Sequence, residues 1–221
     1  MELIVDSADL EAVKEFDELL NVSGVTTNPS IIIRSGKTPE QAISDLVGYL
    51  SPEQKFFVQV VGTTTEKILE EARAINALRE KNTYAKIPVT RAGMRAIKLA
   101  KEEGLGVLAT GIHSPEQAFL AALSGADYLA PYVNRMCNYG DGVSQVIDLI
   151  EMLAAAQLPA RVMAASFHNV GQVHDLLCAG IQAVTLPPDI IRKMMEHPGT
   201  EKAVDDFSAD WAAAYGRDSL F

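Results

Sequence analysis

Eight times along the chain, a short run of β-branched and apolar residues gives way to a turn and then to a longer stretch of helical period. ELIVDS leads into ADLEAVKEFDELL, GVTTNPS into TPEQAISDLVGYL, KFFVQVV into TTEKILEEARAINALREK, and TYAKIPVT into RAGMRAIKLAKEEG. GVLATGI then leads into SPEQAFLAALSG, ADYLAPYVNR into GVSQVIDLIEMLAAA, ARVMAASF into NVGQVHDLLCAG, and QAVTLP into PDIIRKMMEH. Spacing identifies the helices. Leu10, Val13, Phe16 and Leu20 recur three and four apart, and Ala118, Ala121 and Ala122 share a face in the same way. Ser114-Pro115-Glu116 reads as a capping residue, a first-turn proline and an acid that suits the helix dipole. Gly104, Gly125 and Gly180 fall where helices are expected to stop.

Eight β-α units are the number that closes a (β/α)8 TIM barrel, whose usual length is about 250 residues. A doubly wound open sheet also alternates strands and helices, but no G-x-G-x-x-G follows any of these strands. The expectation is one barrel domain over residues 1–221, with 200–221 as a helical extension. Val204, Phe207 and Trp211 form a stripe on that extension, which is expected either to cap the barrel or to pack on a neighbouring subunit.

Strand parity then sorts the polar residues. In a barrel one parity meets the helices, the other fills the interior, and working groups sit at the C-terminal strand ends. Ala85, Ile87 and Val89 take the helix-facing parity in the fourth run, which turns Tyr84, Lys86 and Pro88 inward. Leu3 and Val5 face helices while Ile4 and Asp6 point inward. Asn28 ends the second run, Gln59 comes late in the third, Thr110 follows GVLA in the fifth, Tyr132 follows Pro131 in the sixth, and Ser166 ends RVMAAS in the seventh. Each has a plain structural reading alone: Asp6 and Asn28 as helix caps, Gln59 and Thr110 as satisfied interior groups, Tyr132 as core, Lys86 as a snorkelling chain or a buried partner of Asp6. Gathered around one lysine they argue for use, because buried polar groups are costly.

The chemistry that suits this set is Schiff-base catalysis. A desolvated lysine has a lowered pKa and is more often the free nucleophile. Its iminium with a ketone is an electron sink that permits cleavage of a nearby carbon–carbon bond. Asp6 and Tyr132 are the titratable groups for proton transfer, and Gln59 with Thr110 is able to hold a relay water.

Composition narrows the partners. The 221 residues are 48% hydrophobic and 22% charged, the balance of a globular chain. A formal net charge of -10 argues against nucleic acid or an anionic membrane as partner, while local basic groups still permit an anionic small molecule. Cys137 and Cys178 are far apart and read as two free thiols. The acidic N-terminus MELIVDSADLEAV does not suit a secretory leader, and no apolar stretch has the length of a membrane span, so a cytoplasmic protein is expected. His113, His168, His174 and His197 have no metal-ligand spacing, so no metal site is expected.

GVTTNPSII (24–32), AKIPVT (85–90), APYVNR (130–135) and AASF (164–167) resemble, in order, the characteristic segments of the transaldolase family, and closely those of its short subfamily, the fructose-6-phosphate aldolases. The resemblance runs from GVTTNPS to DWAAAYGR. It implies a (β/α)8 barrel, a Schiff-base lysine at Lys86, an acid/base group at Asp6, and Asn28, within a segment that also holds Thr26, binding the dihydroxyacetone portion. It further implies Thr110 and Gln59 positioning a water, Tyr132 in proton transfer, Arg135 and Ser166 on the substrate phosphate, no cofactor, and a homo-oligomer, decamer or pentamer. True transaldolases usually carry Glu and Phe where this chain has Gln59 and Tyr132, so the aldolase type is the expectation. Departures are MCNYGDG after APYVNR, GIHS with His113 after the fifth-strand Thr110, and His168 where a lysine usually follows AASF.

The expected reaction is cleavage or formation of fructose 6-phosphate from dihydroxyacetone and glyceraldehyde 3-phosphate. The rival is transfer of the dihydroxyacetone unit between sugar phosphates, or use of another anionic ketose such as a sulfonated sugar. A non-catalytic sugar-phosphate-binding barrel is a third reading, disfavoured by the presence of the whole set around Lys86.

Overall fold

The computed structural model describes all 221 residues. Eight strands run in chain order around a closed parallel barrel: β1 (Glu2–Asp6), β2 (Gly24–Thr26), β3 (Lys55–Gln59), β4 (Thr83–Pro88), β5 (Val107–Ile112), β6 (Tyr128–Pro131), β7 (Arg161–Ala164) and β8 (Ala183–Leu186), with β8 pairing back on β1. The helices between and after them are α1 (Leu10–Leu19), α2 (Pro29–Arg34), α3 (Pro39–Tyr49), α4 (Thr65–Asn76), α5 (Arg91–Glu102), α6 (Pro115–Leu123), α7 (Val133–Met136), α8 (Gly142–Ala155), α9 (Val170–Cys178), α10 (Pro188–Met195) and α11 (Pro198–Tyr215). The expected (β/α)8 barrel is the observed fold. No helix is long and apolar enough to cross a membrane.

Strand parity builds two separate cores. Val5, Val25, Val58, Ala85, Ile87, Val107, Leu129, Val162 and Val184 join the helix faces in one large cluster between barrel and helices. Ile4, Phe57, Leu108, Tyr128, Met163 and Ala183 fill the interior instead. Phe57, Tyr84 and Tyr128 close the N-terminal half of the bore, with ring centroids 4.8, 5.2 and 5.3 Å apart. Beneath them Glu2 takes hydrogen bonds from Lys55, Arg161 and Tyr128, so the charge at that end is paired.

The helix starts follow their capping chemistry. Asp9, Thr38, Thr64, Thr90, Ser114, Asp141 and Asn169 each accept a hydrogen bond from a main-chain N–H of the first turn. Gly104, Gly125 and Gly180 have φ of 75°, 93° and 77°, the left-handed conformation their placement after α5, α6 and α9 requires.

Four expectations change. PSIIIR, passed over in favour of the following TPEQ helix, forms the short helix α2, capped by Asn28. β2 stops at Thr26, two residues short of Asn28, which is extended as a residue before proline must be and already serves as the N-cap of α2. Likewise β6 ends at Pro131 and β7 at Ala164. Tyr132 keeps a single bridge to Ala165 and Ser166 lies beyond it at φ 60°. Last, the C-terminal helix spans 198–215 rather than reaching 221, and none of its residues is buried. The β1–β8 pairing closes the barrel without it, and no residue of the helix is buried against the barrel.

Candidate active site

Lys86 lies inside β4, with Ala85 and Ile87 buried against the helices on either side, so its side chain enters the bore. It is only 4% exposed, which rules out snorkelling. Its Nζ donates to the main-chain carbonyl of Thr27 at 2.8 Å, and no carboxylate lies within ion-pair distance. The plain alternative of a contact ion pair with Asp6 is therefore absent as well. Burial pushes the Lys86 pKa below the ordinary lysine range, and the Asp6 charge pulls partly against that fall.

Asp6 ends β1 in register with Thr26 of β2. Thr26 Oγ1 donates to Asp6 Oδ1 at 2.6 Å and also lies 2.5 Å from the hydroxyl of Thr185 on β8. Burial raises the Asp6 pKa above the usual carboxylate value. Lys86, the Thr26 hydroxyl and Arg34 oppose the rise in that order. The lysine and the carboxylate thus each have their charged form disfavoured by burial, within one cavity.

Gln59 closes β3, in register with Lys86. Its Oε1 is buried with no hydrogen-bond partner, an acceptor aimed at nothing in the protein. On the other flank of β4, Thr110 of β5 is fully buried, and its hydroxyl lies 3.1 Å from that of Tyr132. Tyr132 carries the Arg135 guanidinium over its ring at 5.0 Å and the edge of His113 at 5.7 Å between centroids. His113 is held in turn by the Gly111 carbonyl at 2.9 Å. His168 and His174 are exposed, and so are both cysteines, which are free.

One cavity of about 470 Å³ at the C-terminal mouth is lined by Lys86, Asp6, Gln59, Asn28, Tyr132, Arg135 and Ser166, together with Arg34, Ile31 and Pro187. Seven of the nine residues singled out from sequence line it directly. Thr26 and Thr110 stand one step behind, bonded to Asp6 and Tyr132. The Asn28 Oδ1 is engaged by the Ile31 N–H, which leaves its amide nitrogen for the cavity. Both readings of Asn28, cap and cavity group, therefore hold at once.

Sequence reasoning missed two side chains. Thr185 follows the inward parity of Ala183 on β8 and was legible by the rule used for the other strands. Arg34 sits on α2, the helix that was not expected, and it also lines a second cavity of about 370 Å³ with Asp6, Asp9, Lys37 and Pro187. Chemically, the mouth offers a desolvated amine, a carboxylate, a phenol, an unpaired amide acceptor and guanidinium groups.

A family model described as Transaldolase/Fructose-6-phosphate aldolase matches residues 3–217. Among solved structures, one described as "Native KDPGal structure" is similar with a TM-score of 0.57 and 15% identity, over 83% of this chain and 81% of that one. A cube-shaped protein cage designed by fusing symmetric oligomeric domains has a TM-score of 0.59 and 14% identity, over 97% and 79%. A mutant flavocytochrome b2 with benzoylformate has 0.58 and 13%, over 85% of this chain and 56% of that one. At such identities these structures speak for the barrel alone.

Proposed function

Because this chain belongs to the transaldolase/fructose-6-phosphate aldolase family, matched over residues 3–217, we propose that it is a Schiff-base aldolase cleaving fructose 6-phosphate or a closely related ketose phosphate. The observation that carries the reading is Lys86: a lysine 4% exposed, held by a carbonyl rather than a carboxylate, with its ammonium form destabilised by burial.

In this mechanism the neutral Lys86 amine attacks the C2 ketone, and loss of water from the carbinolamine gives an iminium. The Asp6 carboxylate takes the proton of the C4 hydroxyl, the C3–C4 bond breaks, and its electron pair moves into the iminium to form an enamine. Glyceraldehyde 3-phosphate leaves. The enamine is protonated at C3, with the Tyr132 phenol supplying the proton through the Thr110–Gln59 side of the cavity, and hydrolysis frees dihydroxyacetone. The Asn28 amide and Thr26, acting through Asp6, hold the dihydroxyacetone portion, while Arg135 and Ser166 take the phosphate.

Gln59 and Tyr132 favour release of dihydroxyacetone over its transfer. An amide at 59 cannot act as the carboxyl acid, and the phenol at 132 supplies a proton donor to quench the enamine. The exposed stripe of α11, with Val204 56% and Phe207 71% exposed, supports a homo-oligomer in which this helix is covered by another copy.

Borohydride reduction in the presence of dihydroxyacetone or fructose 6-phosphate tests the reading directly. A mass increment on the peptide carrying Lys86 is expected; no increment, or one on another lysine, overturns it. A coupled assay run with and without an acceptor aldose then separates the two outcomes, product without acceptor meaning an aldolase and product only with acceptor meaning a transaldolase.

A further inference from the structure

The cavity carries one cation more than the proposed phosphate site uses. Its charged lining consists of Asp6 against Arg34, Lys86 and Arg135, a local positive excess in a chain of net charge -10. The Arg34 and Arg135 guanidinium groups form no ion pair and no hydrogen bond with the protein, Arg135 only lying over the Tyr132 ring. They belong to the helices that follow β2 and β6, strands four apart in an eight-strand ring, and so approach the mouth from opposite sides.

Structural duties do not account for Arg34. The carbonyls at the end of α2 are already served by Ser35, whose N–H reaches Ile31 and Ile32 and whose hydroxyl donates to Ile32. Asp6 already has a hydrogen bond from Thr26. Two guanidinium groups without a carboxylate partner at the mouth of one cavity are placed to share an anion between them.

We propose that Arg34 is a second, specificity-determining residue for the substrate's tetrahedral oxyanion, reaching it from the β2 side while Arg135 reaches it from the β6 side. The inference rests on the aldolase reading above and deepens it. Arg34 then sets the preference for a phosphorylated over a neutral aldehyde partner, and it touches no reacting atom. Its neighbour Lys37 is tied to Asp45 at 2.6 Å and does not compete for the anion.

The experiment runs the reaction in the synthetic direction, with dihydroxyacetone as donor and either glyceraldehyde 3-phosphate or glyceraldehyde as acceptor. Arg34→Gln is expected to lower the kcat/KM preference for the phosphorylated acceptor by about tenfold, the usual effect of losing a charge-assisted contact. The loss should fall on KM, and Arg34→Lys should recover part of it. A preference equal to that of the wild type, or an equal loss on both acceptors, overturns the proposal. Failure of the underlying reading looks different: dihydroxyacetone then leaves no borohydride-stable adduct on Lys86 of the wild-type protein.

Discussion

Lys86 Nζ, rooted on β4, holds the main-chain carbonyl of Thr27 at 2.8 Å, just past the end of β2. A carbonyl stabilises the ammonium less than a carboxylate would, and it is left behind without a charge when the amine becomes an iminium. The contact fixes the nitrogen over the cavity without locking it in its charged state.

Replacing Lys86 by methionine should therefore separate chemistry from folding. Met keeps the unbranched length and removes a desolvated ammonium, while stranding the Thr27 carbonyl costs about 1–3 kcal/mol. Turnover and borohydride trapping are expected to vanish while the thermal midpoint moves by only a few degrees. Circular-dichroism melts beside a coupled assay check both, and retained turnover would assign the amine elsewhere.

The Lys86–Asp6 coupling sets a pH dependence with a definite sign. Burial lowers the Lys86 pKa and the Asp6 charge raises it in part, so neutralising Asp6 lets it fall further. In Asp6→Asn the neutral amine should appear at lower pH than in the wild type. Modification of Lys86 by formaldehyde and cyanoborohydride, followed by mass spectrometry against pH, reads this without needing turnover. Stability follows the same linkage. Between the lowered native pKa and the ordinary lysine value the unfolded chain binds more protons, so this group's contribution rises with pH across that window. Asp6 acts oppositely. Its native pKa is raised above the ordinary aspartate value, so its contribution improves as pH falls from the raised value toward the ordinary one.

Gln59 presents a buried Oε1 with no partner, a cost the fold bears for the cavity's sake. Gln59→Met should hold or raise the thermal midpoint while cutting turnover at least tenfold, as expected when an acceptor for a reacting water or hydroxyl is removed. A fall in stability parallel to the fall in activity would make Gln59 structural instead.

The Thr110–Tyr132 hydroxyl pair, 3.1 Å apart, invites a double substitution. Tyr132→Phe leaves the fully buried Thr110 hydroxyl unpaired, costing about 1–3 kcal/mol, and removes the proposed proton donor. Adding Thr110→Val takes away the stranded group, so stability should return while aldol cleavage does not. The double variant should lose cleavage more than transfer to an acceptor aldose. Cleavage that recovers together with stability would show the phenol to be a packing element.

How far the sequence reached depended on whether a residue lay inside a regular strand. Asp6, Gln59, Lys86 and Thr110 are strand residues, and period-two alternation alone turns them into the bore. Asn28, Tyr132 and Ser166 lie past the ends of their strands, where alternation no longer applies; their place at the ends of the β-rich runs singled them out, and the family motifs coincide with them. Arg34 escaped both routes. The six residues of α2 are too few to display a helical period, so the Asn28-Pro29 cap signal was not followed into a helix over PSIIIR. Thr185 was within reach and was passed over.

The C-terminal helix makes the last prediction. Over Pro198–Tyr215 nothing is buried, yet Trp211 and Tyr215 pack their rings 4.5 Å apart and Val204, Phe207 and Tyr215 stay largely exposed. An eighteen-residue helix that buries no apolar face has little tertiary support of its own, and a covering surface would supply it. If that surface is another copy of the chain, Phe207→Asp should shift the sedimentation coefficient to a smaller species, while Lys86 remains trappable because the barrel mouth contains no α11 residue. An unchanged assembly size would leave the stripe to some other partner and remove the helix from the oligomer.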